Sequence, residues 1–180
     1  MNIRKVWLGI CLLLVFSACQ QAAPAAESSS ANEERRIYEV MRYGDQYLPS
    51  TEWYILAATD NLSLDRSSVA WTDGVAVVHI VDYVAEAESV RAMFSVDWVT
   101  DYYEVSGYEQ VDFLEDCETD GTQLFLFDLS YQDTPYKVAY WLFRIVPIVG
   151  RGVSLAFPAN REDELRQYAQ RMFPQLPHCD

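Results

Sequence analysis

Positive charge is what this chain lacks most. It has 13 Lys and Arg, only two of them lysine, against 27 Asp and Glu, for a formal net charge of −14. A field of that sign repels phosphate backbones and excludes nucleic acid as a partner. It also repels anionic headgroups, so the folded part should stand off a bilayer. Long apolar runs are missing too. The longest, Val6 to Phe16, has 11 residues, and a spanning helix needs roughly 20. Histidine is nearly absent: His79 and His178 are the only two. No His pair accompanies a Cys pair, so a zinc site is not expected. No metal and no cofactor is implied.

What is present begins with the N-terminus. Arg4 and Lys5 precede the apolar run, and Ser17-Ala18 then supplies small residues for a cut. This is the layout of a bacterial secretory signal over residues 1–18. Cys19 follows directly, and Val15-Phe16-Ser17-Ala18-Cys19 resembles the lipobox of bacterial lipoproteins, with Phe16 where Leu is preferred. The resemblance implies lipid attachment at Cys19, at about 0.8 kcal/mol per buried CH₂. Residues 19–34 are small and polar, unable to bury enough surface to fold. They read as a flexible tether to one domain over 35–180. The expected location is the exported face of the cell envelope, anchored by lipid. Gln20 is not the Asp that holds lipoproteins at the inner membrane, so an outer membrane is the expected home if the cell has one. Removing the signal leaves 11 basic against 27 acidic residues, a net −16.

Cys11 leaves with the signal and Cys19 is lipidated, so Cys117 and Cys179 remain for the fold. Two cysteines in an oxidising compartment predict a disulfide. It would staple Leu176-Pro177-His178 onto the sheet and contribute about 4 kcal/mol on the chain-entropy model.

The pattern along the domain predicts an α+β fold in the order β-β-β-α-β-β-β-β-α. Residues 36–43 read as a strand or a helical turn. Strands are expected at Trp53 to Thr59, Val69 to Trp71 and Val75 to Tyr83, the last two joined by Asp73-Gly74, a strong hairpin signal. Val90, Met93, Phe94 and Trp98 recur at helical spacing, which predicts one helix over Glu86 to Tyr103 closed by Gly107. Strands follow at Tyr108 to Glu115, Thr122 to Tyr131, Tyr136 to Val146 and Gly152 to Phe157. Leu165, Tyr168, Ala169, Met172 and Phe173 form the apolar stripe of a last helix, with Asn160 as its cap and Asp163 near a capping box. Hairpin joints imply an antiparallel sheet, with two amphipathic helices on its faces.

With that order in hand, residues 37–176 resemble the PsbP-like family, named for an extrinsic subunit of photosystem II. The features that carry the resemblance are Trp71-Thr72-Asp73-Gly74, Gly150-Arg151-Gly152 before the last strand, and Phe157-Pro158-Ala159 entering a helix that ends Met172-Phe173. It implies a non-catalytic binding or assembly factor on a membrane complex. No functional motif of the family maps onto particular residues.

Motifs for chemistry are few. His79 shares a strand face with Val75, Val77, Val81 and Tyr83 and reads as a satisfied, half-buried histidine. Gly152-Val153-Ser154-Leu155-Ala156 imitates a nucleophile elbow, but Ser154 falls inside a strand. Asp116 to Gly121 imitates half a calcium loop, yet the twelfth position is Phe127. The aromatic load is the unusual feature: twelve tyrosines and five tryptophans. Trp53, Trp71, Trp98, Tyr102, Tyr103 and Trp141 are the candidate binding residues, since an exposed aromatic set makes a platform for a partner or a sugar ring. The sequence therefore predicts no enzyme. It predicts a tethered accessory that docks an envelope protein or, alternatively, holds a small or amphiphilic ligand between sheet and helices.

Overall fold

The computed structural model describes residues 36–48, 52–61 and 65–180. The signal, Cys19 and the tether lie outside the described residues.

Seven strands form one antiparallel sheet: β1 (Tyr54–Asn61), β2 (Arg66–Thr72), β3 (Val77–Val84), β4 (Glu109–Thr119), β5 (Thr122–Tyr131), β6 (Thr134–Val146) and β7 (Val149–Pro158). Their spatial order is β1-β2-β3-β7-β6-β5-β4. Helix α1 runs through residues 36–45, α2 is Ala87–Ala92, α3 is Val96–Val105 and α4 is Glu162–Met172. The fold is α+β, as the patterning predicts.

Alternation along the strands sorts the apolar residues into two cores, one on each face. The first holds Val69, Trp71, Val78, Ile80, Trp141 and Leu155 beneath α1 and α4, with Val40 and Leu165 from those helices. The second holds Phe125, Phe127, Val138, Tyr140 and Leu142 beneath α3, which contributes Val99 and Tyr103. Central strand β7 is buried on both faces, with Val153, Leu155 and Phe157 in the first core and Ala156 in the second.

One open alternative is decided and two local expectations change. Residues 36–45 are helical, and α1 puts Val40 in the first core. The helix expected over Glu86 to Tyr103 is two. Ser95 interrupts it and caps α3, its Oγ accepting from the Trp98 amide at 3.3 Å. The observed order is therefore α-β-β-β-α-α-β-β-β-β-α. Finally, Asn160 lies in a 3₁₀ turn, Ala159–Arg161, and the cap position of α4 falls to Arg161 with no side-chain cap. Arg161 is instead drawn outward to Asp73 at 2.7 Å and Glu164 at 2.6 Å. That clamps the β2–β3 hairpin to α4.

The turns follow their residues. Asp73 Oδ1 accepts from the amides of Val75 and Ala76 at the predicted hairpin. Asp120 (φ 52°) and Gly121 (φ 75°) make the β4–β5 turn with both central residues left-handed, the geometry that matches strand twist. The imitation calcium loop is thus a hairpin, and Asp116 accepts from Gln123 across it at 2.9 Å.

Cys117 and Cys179 are bonded, with Cα atoms 5.7 Å apart. The tail they hold is also fixed by Trp141, whose Nε1 donates to the Leu176 carbonyl at 2.9 Å, and by Phe173 stacked on the Trp141 ring at 4.4 Å.

Candidate functional site

Helices α2 and α3 cover only part of the second face. Over β1, β2 and β3 that face stays open, because its side chains are small: Ala57, Thr59, Ser68 and Ala70. Ala70 pairs with His79, His79 with Ser154, and Ser154 with Tyr140, so one row crosses four strands from open floor to packed core. Tyr102, Tyr103 and Ser106 from the end of α3 make one wall, continued by Tyr108. The β5–β6 hairpin supplies the other with Tyr131, Gln132, Thr134 and Tyr136, and Tyr136 donates to the Val75 carbonyl at 3.1 Å. The result is an open cleft of about 660 Å³, within the usual range of small-molecule sites, roughly 300–1,000 Å³.

The chemistry of this cleft is neutral. Among the described residues that line it there is no Asp, Glu, Lys or Arg, in a chain with 27 acids. His79 is its one imidazole. Burial, helped by the charge of Arg66, pushes the His79 pKa down to about 4, so it is uncharged near neutrality. Its Nδ1 is hydrogen-bonded to the Tyr102 hydroxyl, and the two rings stack with centroids 6.0 Å apart. Tyr103 and Ser154 share a hydrogen bond of 2.7 Å between their hydroxyls. Burial raises the phenols of Tyr102 and Tyr103 well above their ordinary range. It pushes Tyr108 up to about 12, with neighbouring Tyr136 and Tyr131 adding to the rise. Tyr102, Tyr103 and Tyr108 are therefore neutral hydroxyls that can both donate and accept.

Of the six aromatic residues singled out by sequence, Tyr102 and Tyr103 line the cleft. Trp98 stands behind them, stacked on Tyr102 at 6.3 Å and edge-on to Tyr83 at 5.1 Å. Trp53, Trp71 and Trp141 are a correction: they are buried in the first core, on the opposite face. Strand alternation decides this, since adjacent Tyr140 and Trp141 must point to opposite sides. Trp53 there donates to the Tyr168 hydroxyl at 2.9 Å. His79 is the satisfied histidine the sequence predicts, although Val75 belongs to the turn and not to its strand. Ser154 sits within β7, so no elbow is formed.

Sequence reasoning missed Tyr54, Tyr108, Tyr131 and Tyr136, and above all the floor. Its signal was present: Ser68, Ala70 and Thr72 alternate with Val69 and Trp71, a strand with one full face and one empty one.

No model of a known protein family matches this chain, and a search of the curated proteins finds no match. Function must be read from the geometry.

Proposed function

We propose that the chain is a lipid-anchored, non-enzymatic binding module of the cell envelope whose tyrosine-rich cleft holds one small, uncharged or amphiphilic ligand. A single observation carries this reading: a cleft of about 660 Å³ with no carboxylate, ammonium or guanidinium among the described residues that line it. Charged ligands would lose their hydration there and gain no opposite charge. A neutral ligand loses little, and aromatic faces with hydroxyl edges suit a molecule that is apolar on one side and hydroxylated on another. Binding is favoured over catalysis because His79 is neutral, half-buried and engaged with Tyr102, with no carboxylate among the described lining residues to orient it as a base.

Native mass spectrometry tests this on full-length protein taken in detergent from its own host. The expected spectrum shows one added mass, lost in Ala70→Arg, which places a cation on the floor. Clean apo protein for both forms would end the proposal.

A second reading, the docking accessory that the PsbP-like resemblance implies, is favoured by Val75, Val105 and Tyr131, exposed beside the mouth of the cleft. A photocrosslinker at Val105 should then capture one envelope protein in defined stoichiometry. Scattered or absent adducts would count against it.

A further inference from the structure

The two edges of the sheet are built to opposite rules. Edge strand β4 carries Glu109, Asp112, Glu115, Asp116 and Glu118 within its eleven residues. Its pairing with β5 is also broken twice, between Glu109 and Asp112 and between Phe113 and Glu115. Charges and bulges are the devices that stop another strand from adding to an edge.

Edge strand β1 has little of this. Tyr54 to Thr59 contains no charge. Tyr54, Ile55 and Leu56 are 57, 44 and 58% exposed. After one irregularity between Ile55 and Ala57, the strand runs in unbroken register with β2 through Asn61. Among the described residues no strand pairs with its outer side. At its ends stand Glu52, which is exposed, and Asp60, which accepts from Ser67 and is paired with Arg36.

We infer that β1 pairs antiparallel with β1 of a second copy, about a two-fold axis normal to the sheet. Three features select a second copy as the occupant. An antiparallel strand pairs with itself under such an axis, which gives a closed, self-complementary interface. The acids of β4 lie six inter-strand steps away, roughly 29 Å at 4.8 Å per step, several screening lengths of about 8 Å. The strongly acidic edges thus do not oppose the contact, and they end the joined sheet at both extremes, so growth stops at two copies. The third feature is continuity with the cleft. An axis normal to the sheet keeps α3 of both copies on one side. Tyr54, Leu56, Ala57 and Thr59 of β1 already line the cleft. In the dimer its open side runs into the partner's, and each copy supplies β1 side chains to a shared floor.

This inference stands apart from the identity of the ligand. Sedimentation velocity on the full chain in density-matched detergent should give two protomers, in ligand-free and ligand-bound preparations alike. Leu56→Lys should weaken association at least about tenfold while far-UV circular dichroism stays unchanged. Single cysteines placed from Tyr54 to Thr59 should cross-link near the axis, and Glu115→Cys on β4 should not. A wild-type monomer at every concentration would overturn the inference. So would a dimer indifferent to Leu56→Lys, or a different polypeptide found on β1.

Discussion

Gly152 and His79 show how far single side chains decide this fold. A Cβ on Gly152 would collide with the Tyr140 ring, lying 2.8 Å from Cζ and closer still to the hydroxyl. Both residues are fully enclosed in β7 and β6, so neither can yield. Gly152→Ala should cost about 1–3 kcal/mol, read as a lower urea midpoint with unchanged slope. His79 makes stability depend on pH. Its pKa is about 4 in the fold and 6.5 in the unfolded chain, so between those values only the unfolded chain takes up the proton. Stability is complete above pH 6.5 and falls by up to roughly 3 kcal/mol on the way down to pH 4. Unfolding curves of His79→Gln across that window should lack this part of the slope. If the variant and wild type lose stability in parallel, His79 is not the half-buried neutral group described.

At the scale of elements, long-range clamps hold the layers. Arg151 on β7 makes a bidentate pair with Asp82 on β3, at 2.6 and 2.7 Å, and its guanidinium lies 4.3 Å from the centroid of the Tyr43 ring of α1. Asp82→Ala would strand a buried guanidinium at a cost of about 3–5 kcal/mol. The amides of residues 36–45 should then exchange faster than those of α3, which does not touch this pair. The Cys117–Cys179 bond spans 62 positions, and its reduction should cost about 2–4 kcal/mol. Because Trp141 is tied to the Leu176 carbonyl, tryptophan fluorescence should report the tail loosening before global unfolding. Strand positions were legible because hairpin residues such as Asp73-Gly74 act locally. The split between α2 and α3 was not, since Val90, Met93, Phe94 and Trp98 keep a helical spacing across it. The Ser95 hydroxyl donates to the Ala92 carbonyl at the end of α2 and caps α3.

For the whole molecule, the chain's sequence displayed its charge and concealed where that charge is absent. Twenty-seven acids mark the protein as acidic, yet none of those described faces the cleft. That absence appears only when Ala57, Ala70, Tyr103 and Tyr136, far apart in sequence, meet on one face. Tryptophan misled for the same reason: Trp53, Trp71 and Trp141 are prominent in sequence and serve the first core. The most direct test of the central claim is a ring-selective NMR titration of full-length, tyrosine-labelled protein. Host envelope extract would be divided into neutral and anionic pools before addition. The account predicts that the neutral pool moves Tyr54, Tyr102, Tyr108, Tyr131 and Tyr136 and leaves Tyr38 and Tyr168 still. Shifts confined to Tyr38 and Tyr168, or produced by the anionic pool alone, would contradict it.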